Sequence, residues 1–441
     1  MRLMPLPLRL AALVAFGLAA SAGASAQSLQ ELYDAARAYD ATYLAARSLY
    51  TSAEYKAAQA EALLRPSAAV AANATATQVD VPRLGSGDTN AIGATVSGRY
   101  PLFNKANVAT VDQARKSLVS AKSDLETAEQ DLIVRVAQAY FDVLASQDSL
   151  ATTQASKKAI TEQLASAKRN FEVGTATITD TREAQARFDL ATAQEIAAEN
   201  DLRTKRIALD QLVGRTNVAP RPLAVPVVLP PLQPASAEEW VTAADQQHPG
   251  VQRARIGLDV AQLETQKARA GELPTVDAVA SVGATRNSGS SVSSVPGITK
   301  NGTIGVQLNW TLYSGGSVQN RIRETLALED KARNDLEAAR RSVAQGTRSA
   351  FFGVQSLQAQ VKALEAAESS SKLALEATQL GYRVGVRVNL DVLNAQTQLF
   401  QTQRDLAKAR YDVVLNGLKL RQASGQLSPG DVDAVNRLVA K

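Results

Sequence analysis

The chain has 441 residues, with 48 Lys and Arg against 43 Asp and Glu, a single His and no Cys. Charges of both signs are interspersed without a basic block or aromatic ladder, which removes the footprint of nucleic-acid binding. The missing Cys removes a disulfide framework and a lipid anchor on an N-terminal Cys. With 45% hydrophobic residues but only 5% aromatic ones, Ala, Leu and Val dominate, a composition that favours long, closely spaced helices.

Arg2 and Arg9 precede the apolar run Leu10–Ala20, and Ala24-Ser25-Ala26 has the small-x-small pattern of a cleavage site. Residues 1–26 therefore read as a secretory signal peptide, and the mature chain is expected to begin near Gln27. Beyond it no run approaches the roughly 18 apolar residues of a membrane helix, so any membrane crossing must use strands.

The first structural repeat, 27–225, opens with a helix expected from Leu29 to Leu64, ended by Arg65-Pro66. A β-hairpin over 66–101 follows, with strands at 67–78 and from Ile92 to Tyr100 and a loop of Gly, Ser, Pro and Asp over 80–90. In the second strand Ile92, Ala94, Val96, Gly98 and Tyr100 share one face and Gly93, Thr95, Ser97 and Arg99 the other. Lys105 to Phe171 contains no Gly or Pro, enough for a helix of about 100 Å. The chain reverses at the turn 173–175, where Gly174 suits a tight reversal, and a second helix closes at Gly214. Pro220, Pro222, Pro226, Pro230, Pro231 and Pro234 then make a stiff connection.

The second repeat, 226–441, follows the same plan: a helix over Ala237–Ala270 interrupted at Pro249, a hairpin over 274–313, a helix from Ser317 to Leu380, the turn 384–386 with Gly385, a last helix, and a C-terminal equatorial segment. Ile304, Val306, Leu308, Trp310 and Leu312 alternate with polar residues, while 287–302 reads as a loop. Tyr100-Pro101-Leu102-Phe103 is answered by Trp310-Thr311-Leu312-Tyr313 at an offset of 210, and Val173-Gly174, Asp180 and Gly214 by Val384-Gly385, Asp391 and Gly425 at 211. One register held this far indicates internal duplication.

The amphipathic strands fit either a soluble sandwich or a lipid-facing sheet, and Tyr100, Phe103, Trp310 and Tyr313 at their ends fit either an aromatic girdle or core residues. In lipid, four strands leave their edges unpaired, so more than one copy must contribute; two copies supply eight strands and three supply twelve. Leu118, Leu125 and Leu132, and Leu399, Leu406, Val413 and Leu420, recur every seven residues, a seam for supercoiled neighbours that suits a tube or a solid coiled-coil stalk.

Gly381-Tyr382-Arg383-Val384-Gly385-Val386-Arg387, Asp391-Val392-Leu393-Asn394-Ala395-Gln396, Ala409-Arg410-Tyr411-Asp412 and Ala423-Ser424-Gly425, with Phe171-Glu172-Val173-Gly174 and Ile178-Thr179-Asp180 in the first half, make the chain resemble the outer membrane efflux protein family of TolC-like channel-tunnels. The resemblance spans essentially the whole mature chain. It implies a mostly α fold with a membrane β-barrel: a homotrimer whose twelve-stranded barrel, four strands per protomer, continues into a twelve-helix tunnel with an equatorial belt. It also implies residence in outer-membrane lipid with extension into the periplasm, and partnership with a periplasmic adaptor (membrane fusion protein) and an inner-membrane pump or ABC transporter. The expected role is the exit duct of an efflux pump or type I secretion system. The rival reading is a non-conducting coiled-coil spacer.

The same resemblance implies a gate at the periplasmic tip. Asp391 matches a constriction aspartate and Asn394 stands where the better-known member has a second one; Tyr382 and Arg387 match a latch with Thr179 and Asp180 as partners. From position alone Asp391 serves equally as an exposed helix carboxylate. No catalytic constellation, cofactor motif or metal cluster is apparent, since His248 stands alone beside Pro249 and no Ser has a neighbouring base.

Overall fold

The computed structural model describes residues 26–82, 85–224, 231–289 and 296–438; the leader up to residue 25, and Pro226 and Pro230 of the connection, lie outside the described residues. In chain order the elements are α1 (Leu29–Tyr39), α2 (Ala41–Glu61), β1 (Ser67–Val81), β2 (Gly85–Phe103), α3 (Lys105–Glu172) and α4 (Ile178–Val213). The same order follows in α5 (Ala237–Gln247), α6 (Pro249–Arg269), β3 (Thr275–Gly289), β4 (Gly297–Asn309), α7 (Ser317–Arg383) and α8 (Asn389–Ala423), before the short α9 (Pro429–Asn436). Among the described residues two compact units emerge, one within 26–46, 126–248 and 342–438, the other within 47–125 and 249–341.

In the first unit, the helix expected to run unbroken from Leu29 is interrupted at Asp40. That residue leaves helical geometry with ψ at 116°. Its Oδ1 accepts the Tyr43 N–H at 2.8 Å, capping α2, and its carboxylate takes two bonds of 2.9 Å from the Arg135 guanidinium. An acidic residue inside an Ala-rich run gives no hint of this, because the partner that stabilises the break lies far along the chain. In the second half His248 caps α5 and Pro249 begins α6, the interruption that proline signals. Each break is met by a helix-ending glycine with positive φ: a Cβ on Gly214 would stand 2.4 Å from the Tyr39 ring, and one on Gly425 2.4 Å from the His248 backbone.

Apolar clusters among the described residues hold this unit. Ile160, Leu164 and Ala167 of α3 meet Ala184 and Ala191 of α4 and Leu393 of α8. Trp240 of α5 joins Phe351 and Val354 of α7 and Leu420 of α8. Val361 of α7 meets Leu406, Ala409 and Val413 of α8, so the second heptad seam is buried. Distant segments are also tied together: Gln27 bridges Pro220 in parallel, Tyr140 Oη donates to Arg221 O at 2.7 Å, and Ala224 N–H donates to Leu438 O at 2.8 Å.

The second unit contains a four-stranded antiparallel sheet in the order β1-β2-β3-β4. Its strands run further than the composition indicates: β1 pairs with β2 as far as Val81↔Gly85, and β3 with β4 as far as Asn287↔Gly297. The Gly, Ser, Thr and Asn residues read as loops are therefore largely strand, because the ladder is made by backbone groups that every non-proline residue carries. At its other end β4 stops at Asn309 instead of continuing to Leu312. There the Trp310 indole N–H donates to Glu272 O at 3.0 Å, and Gly315 and Gly316, with φ of +63° and +82°, turn the chain into α7.

Register aligns the alternating faces of all four strands. Val70, Val96 and Val282 lie in one row; Ala68, Gly98, Ala280 and Ile304 in the next; Tyr100, Ala278 and Val306 in the third. Asn73, Thr75, Thr95, Ser97, Ser281, Thr285, Asn301, Thr303 and Gln307 lie on the opposite face. A register shift between Pro101 and Phe103 brings Phe103 opposite Val276, returning its ring to the apolar side that strict alternation would deny it. On the polar side the Arg99 guanidinium donates to Asp277 Oδ2 at 2.6 Å.

Candidate functional site

The two reversals between paired helices are close structural copies. Gly174 and Gly385 both have φ of +79°, a left-handed conformation that admits glycine without a Cβ clash. In the first turn the Thr175 N–H donates to Asn170 O at 2.8 Å; in the second the Val386 N–H donates to Gly381 O at the same distance. The following helices begin differently. Thr177 caps α4 in a capping box with Asp180, whose Oδ2 accepts the Thr177 hydroxyl at 2.7 Å and backbone N–H at 3.0 Å. Val388 offers α8 no side-chain cap, which leaves Asp391 in the first turn to answer the positive helix end.

The structure brings some of the expected gate residues together and not others. Arg387 pairs with Asp391 at 3.5 Å, and its aliphatic stem lies where a Cβ on Gly381 would stand, 2.8 Å from Arg387 Cγ. Asp180 is committed to Thr177, and Thr179 is exposed on the first turn of α4, so within one protomer neither is the partner of Arg387. With its side chain 61% exposed, the Arg387–Asp391 pair is worth no more than about 1 kcal/mol and is readily exchanged. The Tyr382 hydroxyl instead accepts a bond from Asn170 Nδ2 at 3.1 Å, across the two turns.

Around this pair lie contacts that sequence reasoning missed. The Gln163 amide donates to Asn389 Oδ1, and Arg187 Nη2 donates to Asn394 Oδ1 at 3.0 Å. Gln163 of α3 and Arg187 of α4 thus fasten the start of α8, with Leu393 buried beneath them, while Asn170 of α3 holds the end of α7. The one signal for them was asymmetry between the halves. Asn170 stands 211 residues before Gly381, and Arg187 the same distance before Gln398, so paired positions have diverged in chemistry.

The expected girdle residues all stand at one end of the sheet. Tyr100 and Phe103 close β2, while Trp310 and Tyr313 follow β4 with 56% and 87% of their surface exposed. Together with Leu102, Val306, Leu308 and Leu312, they form an exposed apolar border beside the ends of α2 and α6. Among the described residues there is no group of three or more potential metal ligands and no helix long and apolar enough to cross a membrane.

Comparison with known proteins is consistent along the chain. The family model for outer membrane efflux proteins matches residues 20–215 and 240–426. The outer membrane protein TolC of Vibrio cholerae is 34% identical over 413 residues, 93% of each chain. The alkaline protease secretion protein AprF of Pseudomonas aeruginosa is 31% identical, over 79% of this chain and 72% of AprF. Among solved structures, the outer membrane protein VceC of Vibrio cholerae shares the fold with a TM-score of 0.77 at 20% identity, covering 90% of this chain and 96% of that one.

Proposed function

This chain belongs to the outer membrane efflux protein family, and from that premise we propose that three copies close their sheets into one twelve-stranded barrel continued by a twelve-helix tunnel. As a family member it is a non-catalytic outer-membrane channel, the exit duct of a tripartite efflux or secretion system. The work of transport comes from an inner-membrane transporter acting through a periplasmic adaptor. The repeats 27–225 and 226–441 each supply two strands and one long helix pair.

One observation supports closure between copies: β1 and β4 are edges, with no strand partner beyond β2 and β3 in the described chain, on a sheet with one face apolar from the Tyr100 row to the Ile92 row. In hydrocarbon each unpaired edge group costs several kcal/mol, and only closure abolishes edges. With four strands alternating in direction, β4 of one copy meets β1 of the next antiparallel, so copies join without a mismatched seam. Hydrogen exchange on the purified assembly tests this. Amides of β1 and β4 are expected to be as protected as those of β2 and β3; fast exchange confined to the edges would refute closure.

We read the turn cluster as the gate. In a threefold assembly Asp391 would place three carboxylates around one axis, with Asn394 lining the constriction as an amide. Asn170–Tyr382 fastens the tip within a protomer, while Arg387, weakly held by Asp391, would pair with Asp180 of a neighbouring copy once that carboxylate leaves Thr177. The border of Tyr100, Phe103, Trp310 and Tyr313 would sit at the periplasmic headgroup level.

A further inference from the structure

The apolar face of the sheet carries two cations among its described residues, Arg286 on β3 and Lys300 on β4. Register places them together: Arg286 pairs with Ile298 and Lys300 with Ala284, so they are diagonal neighbours about 7–8 Å apart. Both are exposed, and neither forms an ion pair among the described residues. The one described cation on the opposite face, Arg99, lies towards the other end of the sheet and is held by Asp277.

Their height along the strands is informative. Ten residues of β3 separate Arg286 from Val276, which lies opposite Phe103 and Leu308 in the girdle. At about 3.4 Å per residue and a tilt near 40°, that is roughly 26 Å along the membrane normal, the height of the apolar band of an outer-membrane barrel. The face changes character at this level: Ile92 gives way to Asn90 and then Asp88, Ala76 to Gln78 and Asp80, and Arg286 to Ser288. A cation on the lipid face costs about 2–4 kcal/mol at mid-membrane and little at the boundary, so Arg286 and Lys300 stand where charge is tolerated. Lys300, one row nearer the middle, can reach the boundary with its flexible stem.

We propose that Arg286 and Lys300 form an external binding site for the phosphate groups of an outer-leaflet lipid such as lipid A. The inference rests on the reading above that the apolar face meets lipid. The guanidinium supplies a planar fork for phosphate oxygens and the ammonium a second point charge, while Val282, Ile298 and Ile304 beside them offer an apolar surface to acyl chains. Asp88 and Asp80, two and three rows closer to the hairpin tip, are too far along the strand to neutralise the pair.

Native mass spectrometry of the detergent-solubilised protein, titrated with bis-phosphorylated lipid A, tests the site. At about 1 kcal/mol per basic residue near a charged lipid surface, R286Q/K300Q should weaken binding roughly thirtyfold. The exchange R286K/K300R should largely restore it, and lipid A stripped of phosphate should bind both proteins equally weakly. Undiminished binding by R286Q/K300Q in a protein that still forms trimers and conducts would overturn the site alone. Displacement of the lipid by equimolar inorganic phosphate would assign the pair to free phosphate and overturn the lipid assignment. A parent protein giving neither trimers nor channel steps would remove the lipid-facing premise as well.

Discussion

At the scale of single residues, the turn cluster combines links of different strength. The Asn170–Tyr382 bond is partly buried and worth about 0.5–1.5 kcal/mol, whereas the exposed Arg387–Asp391 pair is worth less. If Arg387 closes the tip through a neighbouring copy, Arg387→Ser should raise the basal conductance of the channel in planar bilayers, and Tyr382→Phe should do so more weakly. Conductance of the Arg387 variant equal to that of the parent would remove the latch role. Asn394→Asp should add a second carboxylate ring and shift the reversal potential towards greater cation selectivity in asymmetric salt. Asp40 is a separate case, since its role is structural. Hydrogen bonding from Arg135 is the largest influence on its carboxyl and holds it below the ordinary carboxylate range, against the opposing effect of burial. A depressed folded-state value means that the contribution is complete at neutral pH and is lost as pH falls through that value. Asp40→Asn should therefore lower stability by about 1–2 kcal/mol at pH 7 and flatten the acid limb of the melting temperature against pH.

At the scale of elements, the two faces of the sheet make opposite demands although their residues alternate along one chain. Val96→Lys puts an ammonium on the apolar face and should cost about 2–4 kcal/mol, seen as loss of the heat-resistant oligomer, while Thr95→Lys should leave the oligomer intact. Similar losses from both variants would mean that the two faces are not differently solvated. These faces were legible in the sequence because alternation is a local signal, as were the long helices, delimited by glycine and proline at nearly the observed positions. What was not legible depends on distant partners. The break at Asp40 requires Arg135, the return of Phe103 to the apolar side requires a register shift against β3, and the strand extensions are built from residues whose composition marks loops. The proposed gate was legible only in part for the same reason. Its turns repeat in the sequence, but the polar fasteners Asn170, Gln163 and Arg187 become recognisable only when α3 and α4 are seen beside the end of α7 and the start of α8.

At the scale of the whole molecule, a duplicated chain that alternates helix pairs with hairpins supplies from each copy an even number of antiparallel strands and matched helices to continue them. The central seam of the sheet, β2 against β3, joins residues as distant as Thr89 and Gly289, whereas each hairpin joins near neighbours. Contacts of such separation carry a large loop-closure cost and form slowly. The two hairpins can therefore fold early, as isolated ribbons with apolar faces, but the four-stranded sheet that joins them must wait until the second repeat has been synthesised and exported. During that interval the nascent chain is vulnerable to aggregation, and its fate rests on how quickly its two ends find each other relative to how long a holding chaperone can shield them.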